Sequence, residues 1–410
     1  MKLKPGTGKP GKVIILGGGF AGLTAAAYLV KSGFKVEVIE SSGKVGGRAY
    51  SIVDKDTNSV IDNGQHILMG CYRETLDFLK LIGAENNFIF QDKLKVNFVK
   101  EDFHTYPLKA VTSFYPFNLL FGLLNYQAIS FNDRLLLLKV FLKLNLYSSR
   151  DLEKKSIVEW LDEENQTEGI KKAFWEILAV GALNTNITKA SAKIFVDILK
   201  QIFLKGNKAA TIVLPAGGLS ESYCNNAERY ISQNGGEIKY SETVQALRTN
   251  GMKIISVTTS QREIKDFDYV VSALPLYAVN KILPESHTII LPSLEYSSIL
   301  SVHIWLKENR LKENFYGFIN SPVQWVFNHG NHITIVISDA DYLMDKSKED
   351  IFDIVSAETY KYLKIPCDDI LSYKVIKEKR ATFIPSNKIL HNRPSTETPY
   401  RNFFLAGDWV

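Results

Sequence analysis

The strongest constraint on this chain is a set of three glycines, Gly17, Gly19 and Gly22, placed between an apolar run from Lys12 to Leu16 and an Ala-rich helix former. Such an order reads as strand, tight turn and helix. Gly17 permits the turn, Gly19 leaves room for a pyrophosphate, and Gly22 lets the helix close on the strand. A diphosphate then meets the positive end of the helix, so Phe20 and Ala21 join the glycines as cofactor-binding positions. A second strand, Lys35 to Ile39, ends at Glu40, eighteen residues after Gly22. Its carboxylate can accept hydrogen bonds from both ribose hydroxyls of an adenosine and disfavours a 2′-phosphate. The glycine pattern serves NAD and FAD alike. Gly46-Gly47-Arg48 moves the reading to a flavin dinucleotide, because two glycines let the chain pass close to the diphosphate and Arg48 can neutralise it.

Composition bounds the class. With 410 residues, 45% hydrophobic and 23% charged, the chain can build two cores. Its 49 basic and 44 acidic residues leave a charge of +5, too diffuse to argue for nucleic acid and compatible with an anionic membrane surface. Cys71, Cys224 and Cys367 lie far apart, which points to a reducing compartment rather than to a disulfide framework. His329 and His332 have no carboxylate or cysteine company, and no metal site is expected. The N-terminal segment lacks the apolar region of a signal peptide, so a cytoplasmic location is expected.

The longest apolar stretch, Phe114 to Tyr126, is interrupted by Pro116, Asn118 and Gly122 and falls short of the ~20 residues a bilayer span needs. Asn132 and Asp133 are then expected to N-cap a helix containing Leu135 to Leu138, Val140, Phe141, Leu142 and Leu144. That helix is apolar over most of its circumference. It fits the core of a helical domain, the wall of an apolar tunnel, or a peripheral contact with the inner face of a membrane.

The predicted fold class is α/β, with two interleaved domains. A Rossmann-like dinucleotide domain takes residues 1–70, 205–285 and 380–410, and an α+β substrate domain, a helical bundle plus a mixed β-sheet, takes 71–204 and 286–379. The expected elements include a helix from Arg73 to Leu81, a hairpin with arms Lys95 to Val99 and Phe103 to Tyr106, and helices from Phe114 to about Leu204. A further helix should run from Gly217-Gly218 through Tyr230, and a buried strand from Asp268 to Pro275. Strands are expected at Ser298 to Leu306, Gln324 to Asn328 and Ile333 to Ser338.

The blocks VIILGGGFAGL, KVGGR, DNGQH, LPAGGL, GGEI, VVSALP and FLAGDW follow in an order that resembles the flavoprotein amine oxidase and phytoene desaturase superfamily. DNGQHILMGCY, FWEILAVGALNTNITKASAKIFVDILKQIFL and SPVQWVFNHG are similar to its hydroxysqualene dehydroxylase branch, the squalene-associated FAD-dependent desaturases. The resemblance implies FAD, an external electron donor, and a hydrophobic isoprenoid substrate whose hydroxyl is replaced by hydrogen to give squalene on the route to hopanoids. It also implies that Gly64 lies beside the flavin ring, that the Val244 backbone pairs with adenine, and that Gly407 and Asp408 lie near the ribityl chain and diphosphate. Asp408 equally fits an N-cap.

By the same resemblance His66 is a candidate acid assisting departure of the hydroxyl, with Gln65 orienting it or the ring. The alternative is that Asp62 and His66 only hold a loop. In the family a helix follows the block matching FLAGDW, whereas this chain stops at Val410. A helix end there would favour negative charge on the flavin by ~0.3 to 2 kcal/mol. Two other functions stay open: oxidative desaturation of a carotenoid precursor, and flavin binding without catalysis.

Overall fold

The structure, a computed structural model, describes residues 10–111 and 114–410. The run Lys12–Leu16 is the central strand of a five-stranded parallel sheet. Lys35–Ile39 and Glu237–Lys239 lie on one side of it, Tyr269–Ser272 and Phe403–Leu405 on the other. Strand alternation feeds two cores at once. Val13 and Ile15 pack with the helices Phe20–Lys31 and Asn225–Gln233, while Ile14 and Leu16 pack beneath the antiparallel ribbon Val244–Asn250, Lys253–Thr259 and Glu263–Ile264. Both faces of the parallel sheet are thereby covered, as such sheets require.

A seven-stranded mixed sheet forms the second layer system. Its order is Ile370–Phe383, Tyr296–Leu306, His332–Ser338, Trp325–Asn328, Phe315–Phe318, Lys95–Val99 and Thr105–Lys109. Every pairing is antiparallel except that of Phe315–Phe318 with Lys95–Val99. One face packs on the helix Lys348–Leu363, and the other joins the helices between Phe117 and Phe203 in the largest core. The α/β architecture expected from the sequence is the one observed.

Local differences have local causes. The second hairpin arm is Thr105–Lys109, because Phe103 adopts φ of 65° and prolongs the turn. The helix expected to be capped by Asn132 and Asp133 is Phe131–Lys143, capped by Ser130, whose hydroxyl accepts from the Asp133 amide at 3.2 Å. The FWEILAVGALN block is one continuous helix, Glu168–Leu183, with a π turn at Lys171–Trp175. The helix after Gly217-Gly218 also enters through a π turn, Ser220–Cys224. Among the described residues, no helix is long and apolar enough to cross a membrane.

Candidate active site

The glycine turn is fixed by close approach. Gly17 has φ of 96° and donates to the Ile39 carbonyl at 2.8 Å, and a Cβ on Gly22 would stand 1.9 Å from the Gly17 oxygen. The helix Phe20–Lys31 begins at Gly19 with no side-chain cap and no acid in its first turn. Gly19 and Gly46 form a backbone bridge, and a Cβ on Gly47 would meet the Gly19 Cα at 2.9 Å. Glu40 is buried at the tip of the second strand. Its Oε2 accepts from the Gly18 amide and its Oε1 from the Ser42 amide, each at 2.7 Å. Bare backbone, an uncapped helix N-terminus and a carboxylate held beside them fit an adenine dinucleotide bound through its diphosphate and ribose. Val244, on the first position of its strand, is half-buried against the neighbouring core.

The FLAGDW block comes back beside this loop. Arg48 Nη2 lies 2.8 Å from Asp408 Oδ2, and Arg48 Nη1 donates to the Ala381 carbonyl at 2.8 Å. Gly407 takes φ of 146°, which turns Asp408 toward Arg48. Arg393 donates to the carbonyls of Asp408 and Val410 at 2.7 and 2.6 Å.

The DNGQH block forms the next layer. Asp62 Oδ1 accepts from Ser51 Oγ at 2.7 Å and from the Leu219 amide at 2.9 Å, so it ties the LPAGGL block to the strand pair Ser51–Val53 and Val60–Asp62. Burial pushes its carboxyl up, against those two hydrogen bonds. Asn63 Nδ2 donates to the Arg48 carbonyl at 2.7 Å, and Asn63 Oδ1 accepts from the Tyr50 amide at 3.1 Å. The His66 ring also hydrogen-bonds the Arg48 carbonyl. Burial, helped by the Arg48 charge and opposed by that hydrogen bond, lowers His66 to about 4. At neutral pH His66 is therefore a neutral imidazole whose one N–H faces the Arg48 carbonyl and whose other ring nitrogen is an acceptor.

Arg48, Asn63, Gly64, Gln65 and His66 line the polar end of a cavity of about 450 Å³. Beyond them the walls are mostly hydrocarbon. Phe98, Phe315, Trp325 and Phe327 come from the mixed sheet, and Phe174, Ile177, Leu178, Ile198 and Ile202 from the helices. The QWVF block supplies one wall: Trp325 packs against Phe98 and Phe315, with ring centroids 6.1 Å apart in each pair. Gly317 and Gly181 leave the space, since a Cβ would lie 3.2 and 3.1 Å from the Trp325 indole. The helix carrying Phe174 has its π turn there, which rotates that ring into the wall.

Three contributors were not singled out by sequence. Glu378 is the one carboxylate lining this cavity among the described residues, on the strand Ile370–Phe383, where it accepts from the Arg380 amide at 3.3 Å. No motif surrounds it. Asn184, at φ of 48°, closes the helix Glu176–Leu183 and donates to Thr382 Oγ1 at 3.0 Å and Ser297 O at 3.3 Å, while accepting from the Asp339 amide at 2.8 Å. Thr382 is shared with a neighbouring cavity that also reaches Asp408 and Tyr72. The ALNTN block thus joins the helices to the mixed sheet, a pairing that local sequence does not encode.

This fold and site define an FAD-binding oxidoreductase with a hydrophobic substrate chamber. The profile of the flavin containing amine oxidoreductases matches residues 20–410, and the chain belongs to that family. It is 27% identical over 404 residues to a hydroxysqualene dehydroxylase of Zymomonas mobilis subsp. mobilis, covering 97% of this chain and 92% of that protein. It is 22% identical over 440 residues to a 15-cis-phytoene desaturase of Synechococcus elongatus, covering 97% and 91%. A solved oxidoreductase from Methanosarcina mazei shares the fold at a TM-score of 0.71 and 18% identity, covering 97% of this chain and 95% of that one.

Proposed function

We propose that this oxidoreductase acts on a long isoprenoid, and that its reaction is the reductive dehydroxylation of hydroxysqualene to squalene. The observation that carries the reading is the cavity: polar groups at Arg48 and Asn63 to His66, a few more at Asn184, Ser338 and Thr382, one carboxylate among the described residues, Glu378, and otherwise apolar walls. A polyprene bearing one hydroxyl has the same distribution of polarity. The similarity to hydroxysqualene dehydroxylases at 25 to 27% identity supports this substrate over the carotenoid alternative, supported at 22%.

Bound FAD supplies hydride transfer. Gly17, Gly19, Phe20, Ala21 and Gly22 would hold its diphosphate, Glu40 its ribose, Val244 its adenine, and Gly46, Gly47, Arg48, Gly64, Gly407 and Asp408 its remaining length. The hydrocarbon walls exclude water and align the chain of the substrate. His66, neutral at pH 7 with its one N–H held by the Arg48 carbonyl, would position the substrate by accepting from its hydroxyl through the other ring nitrogen, with Gln65 orienting the imidazole. Glu378 would face developing positive charge on the allylic carbon. The electron donor is a separate partner.

Anaerobic incubation of the FAD-loaded chain with a reductant and hydroxysqualene, followed by mass analysis of the extracted lipid, tests the proposal. Squalene formed only with both FAD and reductant is the expected result. Dehydrogenated product from phytoene under oxidising conditions, with no squalene under reducing ones, would replace it by the desaturase reading.

A further inference from the structure

The helices Phe117–Leu124 and Phe131–Lys143 pack on each other and turn Leu119, Leu123, Leu137, Val140 and Phe141 into the core shared with the cavity walls. Their outer faces are apolar as well. On the first, Phe114, Phe117 and Phe121 recur at helical spacing and are 78, 56 and 44% exposed, with the last two rings stacked. On the second, Phe131, Leu135, Leu142 and Leu146 follow one face, Leu142 at 64% and Leu146 at 79% exposure. A surface helix of a globular protein ordinarily places charge there. Lys139 alone does so on this stripe.

Charge flanks the apolar surface with one sign. Between Asp102 and Asp151 the sequence holds five bases, Lys109, Arg134, Lys139, Lys143 and Arg150, against one acid, Asp133. Asp133 is occupied by the hydroxyls of Ser130 and Thr167 at 2.8 and 2.9 Å. Lys143 pairs with Glu164 at 2.8 Å and Arg134 donates to the carbonyls of Leu124 and Ile129 at 3.1 and 3.2 Å, while Lys109, Lys139 and Arg150 are exposed with no acidic partner among the described residues. Tyr115 donates to the carbonyl of Phe203 at 3.0 Å, and Phe203 is itself a cavity wall. The apolar surface therefore starts one residue layer from the chamber.

We propose that this helix pair docks on an anionic lipid bilayer, its two apolar stripes entering the boundary of headgroups and acyl chains while Lys109 and Lys139 meet lipid phosphates, and that hydrocarbon passes between bilayer and cavity beside Phe203. A second copy of the chain is a poorer occupant, because a symmetric contact would bring the unpaired bases of this surface together with no acid to meet them. Passage beside Phe203 rests on the hydrocarbon-substrate reading above; docking does not.

Co-sedimentation of the FAD-loaded chain with vesicles of phosphatidylcholine, with and without phosphatidylglycerol, tests docking. The chain should sediment with the anionic vesicles. F117S/F121S and, separately, L142S/L146S should each lower partitioning about tenfold or more, with melting temperature and FAD content unchanged because the replaced side chains are exposed. K109Q/K139Q should weaken binding to anionic vesicles alone. Wild-type protein left in the supernatant, or variants that bind as wild type, would overturn docking. So would a wild-type dimer that these substitutions convert to monomers without any vesicle binding. Turnover separates the two readings. Variants normal with substrate in detergent micelles and slow with substrate in vesicles support the passage; a vesicle-bound wild type inert toward isoprenoids in micelles removes the proposed function and leaves docking in place.

Discussion

Arg48 and Asp408 meet at 2.8 Å across the mouth of the glycine turn, joining the KVGGR block near the start of the chain to the FLAGDW block at its end. Both side chains are about two-fifths exposed, so the pair contributes little to folding, on the order of 0 to 1 kcal/mol. Its importance is positional: Asp408 and the Ala381 carbonyl fix the guanidinium beside the backbone of Gly46 and Gly47. D408N should therefore leave the melting temperature nearly unchanged while weakening FAD binding by roughly tenfold, about 1.4 kcal/mol. Fluorescence titration of apoprotein with FAD, beside a thermal melt, checks both halves.

Gly22→Ala is expected to behave oppositely, losing fold and cofactor together. Its methyl would enter the Gly17 carbonyl oxygen at 1.9 Å, and the displaced helix would take its N-terminal amides out of register with the diphosphate. Overpacking of this kind costs about 1 to 3 kcal/mol. A lowered denaturation midpoint with sub-stoichiometric FAD is the expected measurement.

Four histidines make the fold sensitive to acid. Burial lowers His66, His329 and His332 to about 4 and His303 to about 3, each from 6.5. The rings of His329 and His332 stack at 4.7 Å, and those of His303 and His332 lie 5.9 Å apart, so charging one opposes charging its neighbour. With folded values below the unfolded one, the unfolded chain binds more protons between about pH 6.5 and 4. Stability is full above that window and is lost as pH falls through it. Denaturant melts at pH 7, 6, 5 and 4 should show a steady decline, and H332Q should flatten it.

The same depression of His66 bears on turnover. It stays a neutral imidazole across this range, so turnover should be flat between pH 6 and 8 as far as His66 is concerned. H66A should lower turnover with FAD retained, and H66Q, which keeps both a donor for the Arg48 carbonyl and an acceptor, should recover part of it. Turnover of H66A equal to wild type would reduce His66 to a holder of the Arg48 loop.

Asn184→Ala removes the side chain that bridges helix and sheet. It strands the Asp339 amide and the Thr382 hydroxyl, and places alanine at φ of 48°. A loss of about 1 to 3 kcal/mol is expected from the unpaired groups. N184G should be no worse than N184A, since glycine accepts that conformation.

What was readable from sequence was what is decided locally. The strand Lys12–Leu16, the turn at Gly17 and the close packing at Gly22 follow from backbone sterics, and each stands where expected, whereas the contact of Gly47 with Gly19 shows only in the structure. The helix cap was misplaced by two residues because Ser130 and Asn132 are both good caps, and only the reach of a hydroxyl to the Asp133 amide decides between them. Glu378, Asn184 and the Arg48–Asp408 pair depend on strands and helices far apart in sequence, so nothing near them announces their partners. Phe114 to Leu146 read as core, tunnel or surface at once, since hydropathy does not distinguish an inner from an outer face when both are apolar.

The central claim is that this chain gives electrons to a hydroxylated isoprenoid. It is tested most directly by reducing the FAD-loaded chain, mixing it anaerobically with hydroxysqualene, and following the flavin absorbance through a single turnover. The oxidised flavin spectrum should return at a rate that saturates with hydroxysqualene, with one squalene formed per flavin. Reduced flavin untouched by hydroxysqualene, together with oxidised flavin bleached by phytoene, would contradict it.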